Sequence, residues 1–237
     1  YDLLLQRGLD VGAWIGETIA LANQPIDVPV THVQQLSQRD HRRRFERVDK
    51  ALSGGFLKLV CADFHEIDAA GVVLTEQTRE LVIANDYSFN TVAVAVLATH
   101  RDGTVLIGLD DDDLPAAQCF VGNSELLVTA AWRVPRDVRG MRQARTWLRS
   151  RLRAQFEVQA GENFWELGGR YHPSPGVTPE VVYPLAVQAV APTSALSWVP
   201  LSDAVAQRQQ LRDGHLRIVA LRAAHALGLL TPEEMPD

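Results

Sequence analysis

Five arginines fall within one short stretch of this chain: Arg142, Arg145, Arg149, Arg151 and Arg153. A guanidinium is planar, permanently charged and able to give two parallel hydrogen bonds, so a group of them suits a phosphate or a carboxylate. The same residues also read as the solvated face of a surface helix, and spacing alone leaves both readings open. Nearby aromatics Trp132, Trp165 and Tyr171 could stack a nucleobase, with core packing the competing role for the two tryptophans. Other reactive groups promise less. Asp110 to Asp113 offer oxygen to a hard cation, but consecutive aspartates do not readily converge on one ion, so a hydrated loop is expected there. His65 and Glu66 are adjacent and would point to opposite sides of a strand, which argues against a shared metal. His41-Arg42-Arg43-Arg44 is offset by Asp40, Glu46 and Asp49. His215 and His225 are expected to be structural.

The elements that must hold these groups follow from hydrophobic spacing. Ala144, Trp147, Leu148, Leu152 and Phe156 recur at three- and four-residue steps and predict a helix over 141–156, with the arginines on its other face. Thr91 to Thr99, TVAVAVLAT, is a continuous β-branched and apolar run of the kind covered on both faces. His100-Arg101-Asp102-Gly103 is turn chemistry before a returning strand, Thr104 to Leu109. Further strands are expected at Leu126 to Trp132, Phe164 to Gly168 and Val181 to Val190, with a proline-braced turn at Pro173, Pro175 and Gly176. Upstream, one or two helices are expected over 2–23 and again over 31–52, then strands at Phe56 to Cys61 and Val72 to Leu74 flanking a turn at Asp68 to Gly71. Downstream, Ser202 or Asp203 should cap a helix over 203–211, and a second helix should run from His215 to Leu227, closed by Gly228. The chain thus reads as an N-terminal α+β extension, 1–84, followed by an α/β domain, 85–237.

Composition narrows the function classes. The net charge of −6 argues against a broad nucleic-acid surface. No apolar run has the roughly 20 residues a membrane span needs. Cys61 and Cys119 lie outside metal-binding spacings, so both are expected to be buried, in a reducing, cytoplasmic compartment. The start at Tyr1, without a signal pattern after it, reads as a fragment of a longer chain.

Three motifs then suggest descent. Asp102-Gly103-Thr104-Val105-Leu106-Ile107, the Ala144 and Leu148 pair, and Tyr171-His172-Pro173-Ser174-Pro175-Gly176-Val177-Thr178-Pro179-Glu180 together resemble the Nudix hydrolase superfamily, the last segment resembling its ADP-ribose pyrophosphatase branch. The resemblance covers about half the chain. It implies an α/β/α sandwich around a mixed sheet, and a helix whose glutamates hold magnesium on a substrate pyrophosphate. In this chain Trp147, Ser150 and Arg151 occupy those glutamate positions. The resemblance therefore implies a non-hydrolytic binding or regulatory module with no metal cofactor. Its ligand would be an anionic nucleotide or nucleotide sugar, bound through Arg145, Arg149, Arg151, Trp132 and Tyr171. Glu180 matches the branch's loop glutamate, a general base. An alternative enzyme would be a magnesium-dependent pyrophosphatase using relocated acids among Glu125, Glu157, Glu162, Glu166 and Glu180, with Glu166 and Glu180 catalytic. A third reading is a protein-interaction domain of a larger assembly.

Overall fold

The computed structural model describes residues 17–37, 57–84, 87–114, 125–191 and 193–230. Helix α1 is Val33–Ser37. A hairpin follows, β1 (Leu57–Ile67) and β2 (Val73–Ala84), and then the central strand β3 (Tyr87–Thr99). Next come β4 (Val105–Asp113), β5 (Glu125–Val128), β6 (Ala130–Pro135), helix α2 (Gly140–Phe156) and β7 (Ala160–Glu166). The chain closes with β8 (Val181–Ala189), β9 (Ser197–Pro200), α3 (Leu201–Ala206) and α4 (Gly214–Ala226).

Strand β3 organises a mixed sheet of seven strands, in the order β5-β4-β3-β8-β7, with β6 also on β3 and β9 also on β4. Among the described strands of this sheet the β3–β8 ladder is parallel and the other ladders are antiparallel. The alternation of a strand divides β3 cleanly between two cores. Val92, Val94, Val96 and Ala98 enter one cluster with Leu148, Leu152 and Phe156 of α2. Ala93, Ala95 and Leu97 enter the other with Val219, Ala220 and Ala223 of α4 and Leu201 and Ala204 of α3. The result is a mixed α/β arrangement with helices on both faces of the sheet. The turn between β3 and β4 fits its expectation: Gly103 takes φ +89°, and the Asp102 carboxylate accepts the Thr104 N–H at 2.8 Å, which helps hold its pKa down at about 2.

Several expectations are corrected. Residues 17–23 contain no helix; they form a strap on which the Ile19 N–H donates to the Ala226 carbonyl at 3.1 Å. The Gln188 side-chain amide holds the strap further along, accepting from the Ala22 N–H and donating to its carbonyl. The expected helix over 31–52 is seen as α1; 38–52, including His41 to Arg44, lie outside the described residues, as do 1–16, Cys119 and 231–237. Asp110 to Asp113 are strand rather than loop, because they pair with Val128, Leu127, Leu126 and Glu125. Cys61 is exposed, since β1 and β2 pair with each other and contribute no residue to either core cluster. Helix α3 is shorter than expected and is not capped by Ser202 or Asp203. The Asp203 carboxylate instead accepts the Val33 N–H of α1 at 2.9 Å.

Candidate functional site

Helix α2 places its arginines in unequal surroundings. Positions 145, 149, 152 and 156 are three or four apart, so Arg145 and Arg149 share the face of Leu152 and Phe156 rather than the outward face expected of them. Arg149 is satisfied by backbone: it donates to the carbonyls of Gly161 and Glu162, where β7 bulges away from β8, and its guanidinium lies 5.6 Å from the Phe164 ring centre. Arg151 lies 5.7 Å over the Trp132 ring, a cation–π contact. Arg145 is half-buried, and its Nε is shut away from solvent with no hydrogen-bond partner. No acidic residue occurs anywhere in α2. A cavity of about 360 Å³, lined by Arg142, Gln143, Thr146 and Trp147, opens along the first half of the helix.

Trp132 and Trp147 meet edge to face at 6.4 Å, and Trp132 also packs on Phe156 at 5.9 Å. The Trp132 indole N–H donates to Gln155 Oε1 at 2.9 Å, so this ring is held from three sides. Trp165 is buried in the opposite core.

The remaining expected residues are on the other side of the sheet. Thr91 shares the face of Ala93, its hydroxyl donates to Glu180 Oε1, and Arg133, opposite Thr91 on β6, donates to Glu180 Oε2 at 3.1 Å. Glu180 is therefore a paired, mostly buried carboxylate at 14% side-chain exposure. Tyr171 lies with it, its hydroxyl 2.6 Å from His215 Nδ1 and its ring under the Arg222 guanidinium. Burial pushes the Tyr171 phenol well above its ordinary pKa, Asp213 and Glu180 push the same way, and Arg222 opposes them. Arg222 is itself buried and donates to the carbonyls of Leu167 and Gly169 at 3.0 and 2.6 Å. Asp213, whose carboxylate accepts the Leu216 N–H at the start of α4, is pushed upward chiefly by burial.

The structure thus separates what the sequence grouped: Arg145, Arg149, Arg151 and Trp132 on the α2 face, Glu180 and Tyr171 on the α4 face. Glu166 is exposed, and its register partner Leu185 is five residues along from Glu180, so their Cα atoms are roughly 17 Å apart at strand spacing. That is too far for them to act on one bond as a pair. Among the described residues, no group of three or more His, Cys, Asp or Glu is placed to hold a metal ion. His65 pairs with Glu76 and Glu66 with Thr75 on the other face of the hairpin. Arg133 and Arg222 escaped the sequence reading, because an isolated arginine in a strand or helix gives no signal of the carbonyl or carboxylate it will meet. No protein-family model matches the chain, and no curated protein matches it.

Proposed function

We propose that this chain is a Nudix-like module that has given up metal-dependent hydrolysis and binds an anionic nucleotide-type ligand through the α2 face. The observation that carries this reading is the charge of α2: five arginines on a helix that holds no acid, with Arg142 lining the cavity along its first half. Guanidinium groups without a carboxylate partner suit a phosphate, to which each can give two parallel hydrogen bonds. Support for the ancestry comes from the order strand, hairpin, helix, strand, proline turn and strand, and from Trp147, Ser150 and Arg151 standing where the resemblance places magnesium-binding glutamates. Trp147 is packed against Trp132 and Arg151 lies over the same ring, so those positions serve packing and positive charge. The cavity beside Arg142 and Trp147 falls within the size range of small-molecule sites.

A hydrolase working from Glu180 has less support, because Arg133 and Thr91 occupy both of its oxygens. The test is calorimetric titration of ADP-ribose, nucleoside diphosphates and nucleotide sugars. Binding of one of them should weaken about tenfold in Arg145→Ala, the loss of one charge-assisted contact. Binding indifferent to both Arg145→Ala and Arg151→Ala would refute the site, and magnesium-dependent turnover would refute the loss of hydrolysis.

A further inference from the structure

The β1–β2 hairpin poses a physical problem that the anion site does not touch. Its eleven register pairs form a separate two-stranded sheet, and no residue of 57–84 enters either core cluster. Two strands alone are marginal in water. The ribbon nevertheless carries exposed Leu59, Phe64, Ile67, Val72, Val73 and Leu74, with Leu59 at 65%. Most large apolar residues exposed among the described part of the chain are therefore gathered on this one element.

Its two edges differ. On the β2 side the Val82 N–H donates to the Val177 carbonyl at 2.8 Å, so the main body touches that edge. On the β1 side no strand among the described residues pairs with it. Exposed edges are usually kept short, or guarded by proline, β-bulges or charged side chains. β1 is 11 residues long, LKLVCADFHEI, with no proline or glycine, a bulge only at its far end between Glu66 and Ile67, and charges at Lys58, Asp63 and Glu66.

We propose that β1 pairs antiparallel, edge to edge, with β1 of a second copy of this chain about a two-fold axis at Ala62. The sequence is self-complementary about that residue. Lys58, Val60, Ala62, Phe64 and Glu66 share one face, and the axis sets Lys58 opposite the partner's Glu66 and Val60 opposite the partner's Phe64. The reciprocal contacts follow from symmetry. On the other face Leu59 meets the partner's His65, and Cys61 the partner's Asp63. A register two residues shorter leaves Lys58 opposite the partner's Phe64, and one two residues longer sets it beyond the end of the strand, so charge selects this alignment. The product is a four-stranded sheet, β2-β1-β1-β2, which meets the strand number that an independently stable sheet requires and removes the open edge.

Sedimentation equilibrium of the full chain tests this. The wild-type protein is expected to be a dimer, and Lys58→Glu, which sets like charges opposite each other twice, should weaken it at least about tenfold. Adding Glu66→Lys should restore dimerisation, a rescue that separates a register contact from a folding defect. Alignment is read independently by oxidation in a Cys61→Ser, Cys119→Ser background. There Ala62→Cys should give a disulfide-linked dimer and Glu66→Cys should not. A wild-type monomer at the highest concentration reached, a dimer indifferent to Lys58→Glu, or linkage at position 66 instead of 62 would each overturn the proposal.

Discussion

The two faces of the central sheet use arginine in opposite ways. On the α4 face, Arg222 meets two backbone carbonyls and the Tyr171 ring, and Arg133 meets Glu180. On the α2 face, among the described residues, no carboxylate meets the arginines of the helix: Arg149 takes two carbonyls and Arg151 an aromatic surface. A guanidinium matched by a carboxylate or by carbonyls is part of the framework. One that keeps its charge uncompensated suits an anion.

Substitutions should sharpen that contrast. The largest effect is expected at Arg222→Leu, which leaves the Leu167 and Gly169 carbonyls without their charged donor in a buried setting and should lower stability by about 3 kcal/mol in chemical denaturation. Glu180→Ala comes next. It strips Arg133 of its carboxylate and Thr91 of its acceptor, for an expected loss of about 2 kcal/mol, while leaving ligand affinity unchanged because the sheet separates it from α2. A large loss of affinity in Glu180→Ala would break the comparison.

A smaller effect is expected at Asp213, and it depends on pH. Its folded-state pKa lies above the ordinary 3.8, so its contribution to stability is full below that value and is lost as pH rises through the raised one. Asp213→Asn keeps an acceptor for the Leu216 N–H while removing the buried charge. It should change the melting temperature little at about pH 3 and raise it at about pH 7. The smallest stability effect is expected at Arg145→Ala, within about 0.5 kcal/mol, since no internal hydrogen bond is lost with it. A loss as large as that of Arg222→Leu would mean that Arg145 is framework after all.

Much of the framework was legible because the signals were local. TVAVAVLAT carries its burial on both sides in its own composition, and Ala144 to Phe156 carries its period. What was not legible depended on distant partners. Asp110 to Asp113 look like a loop until Leu126 to Val128 pair with them. Asp203 looks like the cap of its own helix until α1 arrives from 170 positions away to claim it. The hairpin strands run well past Cys61 and Leu74, because their polar residues give no periodic pattern. For the site, the helical period alone could have placed Arg145 beside Leu152. Nothing in the sequence could have assigned Glu180 and Arg151 to opposite faces of a sheet.

Titration of ADP-ribose in EDTA and again in magnesium, with analysis of the nucleotide recovered, tests the central claim most directly. Equal affinity in both buffers with the ligand recovered intact is the expected result. Binding that requires magnesium, or recovery of cleaved nucleotide, would contradict it.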